Sequence, residues 1–533
     1  MSDRQGEKED EAATATRKAA PARPSWLRRS FKGFWWRVHC WLPNTIVSPH
    51  GSEKIYFDEK DLKDNKGTRV PEDESLDVPM VWGAEVYGPS EIDALYANLS
   101  KLGWDNDRLS GQSNSAGRWI REQRLYGGGG WYNIGYVSRK TDKRFYPRDY
   151  FAPMPDVVEE LNVEIYQLTP SLTCVLIGFV LTDKAGKWYQ QELSEDRRMK
   201  RVPGPRRGSV SILGVGHLKA QAIQRTRERY RAIATTWFAQ HMPGFFSNAS
   251  EKDQLPTTEL ITTKMELCFS DLRKNDGESF FNWRKLILNA GLADVWTCAS
   301  CAGLQLVTDK LEDKLRFHTV IALRVSDVGD KQVEHFGGRQ RRAFNAFCSE
   351  QVGGILAHYA GIAVLMESAS MVKLSREQLK AKQGGRKVLD VLEDIMRFFT
   401  HSMGQPTIAA ELQKVSLEVG MFQCNCENFT QEYWAQNGKS LSLPDVLCER
   451  TNHLAEKLIE EETRVREQFG QLSSILSTRE SVKAQRRMEL LTVIALLVAF
   501  ASLAVALPPR SSWPDVIELL SLYHQEGNPA EKL

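Results

Sequence analysis

Residues Arg486–Arg510 read "RRMELLTVIALLVAFASLAVALPPR" and lie near the end of a 533-residue chain. From Leu490 to Leu507 there is no charge, no Pro and no Gly. The only polar side chains are Thr492 and Ser502, whose hydroxyls can bond back to the preceding helical turn. A helix over this stretch rises about 27 Å, close to the hydrocarbon thickness of a bilayer. A core helix of a soluble domain would show a polar stripe, and this one has none. A transmembrane helix is therefore expected, with Arg486 and Arg487 before Leu490, and Pro508, Pro509 and Arg510 after Leu507.

Nearby cations set the orientation. Arg479, Lys483, Arg486 and Arg487 precede the stretch; Arg510 follows it, before Asp515 and Glu518. The excess lies upstream, so the N-terminal body is expected in the cytoplasm, in a single-pass topology. The tail 508–533 contains "SSWPDVIELLSLYHQEG", too short and too charged to cross, and reads as a short amphipathic helix.

Composition agrees with a cytoplasmic body. Apolar residues make up 42% and charged residues 26% of the chain, as in ordinary globular domains. The net charge of +2 gives no general attraction for nucleic acid, and no such partner is expected. Nine Cys, an odd number over a long chain, read as reduced thiols rather than a disulfide framework. The opening "MSDRQGEKED" has early acids and no apolar core, so no signal peptide is expected.

A stalk is expected over 441–489. Ser442, Leu443, Pro444 and Asp445 form a helix start, and no Pro interrupts the chain from there to Leu507. Leu447, Leu454, Leu458, Val465 and Leu472 follow heptad-compatible spacing, with Phe469 and Leu476 beside them. This stripe suits packing on the chain's own helices, or a coiled coil with another copy. Gly470 is the weak point of the helix. A long helix entering a span resembles the CorA-type magnesium channels, over the last eighth of the chain. The resemblance implies an oligomeric ion channel or transporter component. The Gly-Met-Asn signature and second span of that family are missing; Pro508-Pro509-Arg510 stands here instead.

At the other end, residues 1–23 read as a disordered tail, and 24–43, "PSWLRRSFKGFWWRVHCWLP", as a basic aromatic helix. Leu27, Phe31, Phe34, Trp35, Val38, Trp41 and Leu42 share one helical face; Arg28, Arg29, Lys32 and Arg37 fall mostly on the other. With Trp26 and Trp36, this pattern suits an interfacial helix on anionic lipid, or a helix docked on the body.

Residues 50–250 alternate strand and helix patterns, so an α/β or α+β sheet domain is expected. Val78–Gly88, "WYNIGYVSR" and "LTCVLIGFVLTD" read as strands, the last fully buried. A helix capped by Ser90 should turn Leu95, Leu99 and Leu102 inward, and a long helix should end at Pro243-Gly244. Residues 251–335 either complete the same sheet or form a second small one. Residues 336–440 read as helical, with one helix capped by Ser375 and Gln378 and a candidate break in it at Gly384-Gly385.

The candidate sites are scattered. Gly127, Gly128, Gly129 and Gly130 beside Arg124 could cradle a phosphate, although no Gly-Lys-Ser/Thr follows; a plain loop fits as well. Arg206 and Arg207, in "GPRRGS", form a basic loop with Arg197, Arg198, Lys200 and Arg201 that could face lipid or a nucleotide. His217 sits at a helix start, where anions bind. Cys298 and Cys301, with Cys424 and Cys426, supply four thiols that could hold zinc, or serve as small buried hydrophobes. No catalytic motif and no cofactor motif is present. The expected role is a membrane-anchored sensing or scaffolding body, with membrane lipid as partner and another copy through the stalk. A membrane-tethered enzyme or nucleotide-binding protein using the α/β domain is the remaining alternative.

Overall fold

The structure is a computed structural model. It describes residues 26–42, 45–46, 52–105, 115–127, 129–140, 150–203, 210–248, 255–266, 282–287, 295–308, 317–382, 393, 396, 404–417, 429–431 and 441–506. The fold is mixed α/β around one large sheet. Its strands, in chain order, are β1 (Leu76–Tyr87), β2 (Gly130–Ser138), β3 (Tyr150–Phe151), β4 (Val158–Thr169), β5 (Leu172–Leu181), β8 (Thr257–Thr263), β9 (Val295–Cys298), β10 (Cys301–Val307), β11 (His318–Arg324), β12 (Phe429–Gln431) and β13 (Leu441–Ser442). A separate hairpin joins β6 (Lys200–Pro203) to β7 (Val210–Leu213).

The spatial order is β13-β12-β9-β10-β11-β8-β1-β5-β4-β2-β3. All neighbours run antiparallel except β8–β11 and β2–β3. Residues 251–335 thus extend the first sheet instead of forming a second. Two short strands, β12 and β13, come from a region read in the sequence as helical and a stalk start. Each is too short to carry a periodic signal, and each exists through its pairing with a neighbour.

Two long helices sandwich the sheet: α7 (Val215–His241) and α10 (Arg341–Lys382). Gly83 of β1 approaches Ala234 and Phe238 of α7 so closely that an added Cβ would lie 2.8 Å from the Ala234 methyl. Met80 of the same strand accepts a contact from Ser349 of α10. Residues three apart on a strand point to opposite faces, so α7 and α10 cover opposite sides. Burial on both faces explains why β1 and β5 read as near-continuous apolar runs.

Shorter helices fill the flanks: α1 (Trp26–Trp41), α2 (Ser52–Gly67), α3 (Ile92–Leu102), α4 (Ala116–Tyr126), α5 (Asp183–Gly186), α6 (Trp188–Ser194), α8 (Trp283–Ile287) and α9 (Asp330–Glu334). Leu95 and Leu99 of α3 are buried as the spacing required. The residue before that helix is Glu91, not Ser90, and Ser90 Oγ donates to the Glu91 carboxylate. Ser375 is likewise no cap: α10 runs through it to Lys382 as one helix. Its interior residues Val364, Leu365 and Val372 are buried, so packing overrides the local capping signal.

The last two helices are α11 (Gln405–Leu417) and α12 (Leu443–Ala506). α12 starts where the sequence placed it, with Asp445 in its first turn, and continues unbroken through Gly470. Leu447, Leu458, Val465 and Phe469 are buried in the same core as Leu412 of α11 and Val372 of α10. Between Leu447 and Phe469 the apolar stripe is therefore filled by the chain's own helices.

Candidate membrane interface

The packing of α12 ends abruptly. Leu472 and Leu476 still touch the core, but every described side chain from Ser481 to Val505 is exposed. This includes Leu490, Leu491, Val493, Leu496, Leu497, Val498, Phe500 and Leu503, each more than half exposed. The two hydroxyls are satisfied within the helix. Thr492 Oγ1 donates to the Met488 carbonyl and Ser502 Oγ to the Val498 carbonyl, both at 2.8 Å. Arg486 and Arg487 stand exposed just before this surface. Leu507 and the tail lie outside the described residues.

Among the described residues one helical segment, Arg341–Glu377 in α10, has the length and mean hydropathy of a membrane span. Its apolar window is 72% buried inside the protein. That burial, under the sheet and against α12, accounts for its composition as a core helix. The sequence reading placed the apolar signal only at the C-terminus and missed this second one, because Arg, Glu and Ser residues interrupt its ends.

The N-terminal helix α1 presents a second apolar surface. Phe31, Phe34, Trp41 and Leu42 are 65%, 63%, 82% and 52% exposed, and Trp35 is 39% exposed. Phe31 stacks on Trp35 with centroids 6.1 Å apart. At the edge of this face, one turn on from Trp35, His39 holds the helix to the body and is 1% exposed. One ring nitrogen, Nδ1, meets the Ile46 carbonyl at 2.5 Å, and Nε2 lies 2.7 Å from Arg201 of β6. The helix thus docks through one edge while its aromatic face stays exposed. Trp26, Arg28 and Arg29 belong to α1, and Trp36 is half-buried beside His39.

The Gly-rich stretch is the turn between α4 and β2. Gly127 adopts φ 69°, the left-handed value that ends helices, and Gly130 opens the strand. Gly129 lies between; Gly128 lies outside the described residues. The loop follows a helix C-terminus, where carbonyls point outward and the dipole is negative, so the helix end offers a phosphate nothing. Arg124 is turned inward, donating to Thr173 Oγ1 at 3.2 Å. Burial lowers its pKa, with Tyr96 and Glu411 acting against that. His217 is exposed in the first turn of α7. Arg206 and Arg207 lie outside the described residues. The described ones, Arg124 with its neighbouring glycines and His217, sit on different elements, α4 with the α4–β2 turn and α7.

Cys298 and Cys301 are cross-strand partners flanking the tight β9–β10 turn, and both are buried. Cys298 Sγ lies 3.1 Å from Ser300 Oγ, and Cys301 Sγ contacts the Asp327 carbonyl at 3.8 Å. Burial pushes the Cys301 thiol up. Cys424 and Cys426 lie outside the described residues, and no metal-ligating cluster occurs among the described ones.

The main polar centre was not anticipated from the sequence. Glu259 of β8 is fully buried and accepts from Arg227 of α7 at 2.9 Å and from Tyr189 of α6 at 2.7 Å. His318 Nε2 stands 3.6 Å away. Its Nδ1 is 2.9 Å from Thr257 Oγ1, which also accepts from Arg231. Arg227 further donates to the Ile287 carbonyl, drawing α8 in. Burial raises the Glu259 carboxyl, but Arg227 and His318 outweigh it and hold the pKa at about 2. None of these side chains reaches solvent, so the network fastens α6, α7, α8, β8 and β11 together and has no access for a substrate. A usable signal existed: Ile223, Arg227 and Arg231 recur every fourth residue on one face of α7.

The chain matches no protein-family model and no curated protein.

Proposed function

We propose that the chain is a single-pass membrane protein, with residues 490–507 of α12 and its continuation as the span. Its α/β body works at the cytoplasmic face as a sensing or scaffolding unit. The observation that carries this reading is the exposed end of α12. A helix with apolar side chains on every side, and with its two hydroxyls bonded internally, suits hydrocarbon and not water. Each fully exposed Leu, Val or Phe forgoes about 1.5–3 kcal/mol relative to burial. The cations Arg479, Lys483, Arg486 and Arg487 support the cytoplasmic orientation of the body. The sensing or scaffolding role rests on the size of the body and on the burial of the Arg227–Glu259 centre. The channel-like alternative is weakened, because the stalk residues that would join copies are occupied inside one chain.

The test is alkaline extraction of membranes carrying the full chain, followed by protease treatment of sealed vesicles from the cytoplasmic side. Retention in the pellet, with loss of the body to protease, is the expected result. Release at high pH would overturn the span, and a protected body would overturn the orientation.

A further inference from the structure

We infer that α1 is a second membrane contact, a platform that lays its aromatic face on anionic lipid. The inference rests on the membrane location proposed above, but it draws on different residues. Phe31, Phe34, Trp41 and Leu42 lie within about a third of the helix circumference, given 100° per residue. All four are more than half exposed, and Trp35, at the edge of this arc, is 39% exposed. Water is a poor neighbour for such a face, and the protein had the means to bury it. The helix is docked, but through His39 at the edge of this face, between the Ile46 carbonyl and Arg201. The docking fixes the aromatic face outward.

The charge around this face selects the occupant. Lys32 and Arg37 are exposed on α1, and Lys200 is exposed on the β6 strand to which α1 is clamped. The sequence of α1 adds Arg28 and Arg29, and it contains no acidic residue. Bulky aromatics flanked by cations without anions match the boundary between acyl chains and anionic headgroups. A second copy of α1 would place these cations against each other. A neutral apolar partner would make no use of them.

Amide hydrogen exchange of the full chain tests this in proteoliposomes of phosphatidylcholine, with and without phosphatidylserine. Exchange over residues 26–42 should slow when phosphatidylserine is present. Two cations near the surface are worth roughly thirty-fold in lipid affinity. The variant Lys32→Gln with Arg37→Gln should therefore lose most of the slowing. Phe34→Gln with Trp41→Gln should lose it entirely. All four residues are exposed, so both variants keep the body folded. Equal exchange in the two lipid mixtures would overturn the platform. So would slowing that appears in detergent and grows with protein concentration, because a second copy would then be the occupant. Exchange over residues 490–506 reports the span separately. If those residues are slow while 26–42 are not, the span stands and the platform falls. If 26–42 are slow and 490–506 fast, the reverse holds.

Discussion

Arg227 Nη2 lies 2.8 Å from Glu259 Oε1, with side chains 4% and 0% exposed. This pair ties the helix over one face of the sheet to a central strand. Removing one partner strands a charge where water cannot reach it. Arg227→Met should therefore cost about 3–5 kcal/mol. Replacing both, Arg227→Met with Glu259→Leu, should cost less than the single change. Denaturant midpoints in mild detergent check the order. By contrast, breaking the exposed Arg69–Asp196 pair should shift stability by about 1 kcal/mol or less.

The pH profile should show two limbs of opposite sign. Glu259 is held at about 2 in the fold against an ordinary 4.5. Its contribution is complete above the ordinary value and drains as pH falls toward the folded one. Glu85, at the end of β1, behaves the other way. Burial pushes its carboxyl up to about 7, despite donors from Ser247, Phe246 and Val86. Its contribution is complete below its ordinary 4.5 and is lost as pH rises through the folded value. Stability against pH should therefore fall on the neutral side as well as in acid. Glu85→Gln should flatten the neutral limb only; an unchanged limb would assign it to another group.

A charge in the exposed apolar end of α12 should affect membrane retention and not the body. Leu497→Arg places a guanidinium near the middle of the expected span at a cost of about 3 kcal/mol. The variant should partition into the alkaline supernatant more than wild type while the body melts at the same temperature. Equal retention would shift the anchoring role to another segment.

Val465→Glu puts a carboxylate into a site only 2% exposed, between α12 and its neighbours. It should destabilise the body by about 3 kcal/mol or more. Ile475→Glu, at a position 64% exposed, should be tolerated. Melting and sedimentation in detergent distinguish the cases. A Val465 variant that melts normally but halves in mass would put this seam between chains instead.

Close approach of α10 to β4 can be probed at one glycine. A Cβ on Gly353 would lie 2.5 Å from the Tyr166 hydroxyl, which donates to Glu164. Gly353→Ala should cost about 1–3 kcal/mol by overpacking. Adding Tyr166→Phe should recover part of that loss, measured by thermal melting.

Much of the fold was legible where burial on both faces writes long apolar runs. "LTCVLIGFVLTD" became β5, and Val78–Gly88 became β1, within a residue or two. The start of α12 was readable because Pro444 and Asp445 act locally. Whatever depends on distant partners was hidden. Glu259 sits in "TTELITT", which resembles an exposed strand until Arg227 and Tyr189 arrive from elsewhere. His39 looked like one polar residue among aromatics, and its clamp to Arg201 spans 162 positions. The surroundings of Gly127 and Cys298 were hidden for the same reason. Residue type suggested chemistry, but placement gave Gly127 a helix end and gave Cys298 a buried turn.

β13 ends at Ser442 and α12 begins at Leu443, with no residue between them. Mechanically, this makes α12 a lever welded to the rim of the sheet. Leu476 is the last stripe residue in touch with the core, and about 20 Å of bare helix separates it from Leu490. Tilt or rotation imposed at the far end meets first the packed stripe from Leu476 down to Leu447, and beyond it the β12–β13 ladder, which holds by two residue pairs, Thr430–Ser442 and Gln431–Leu441.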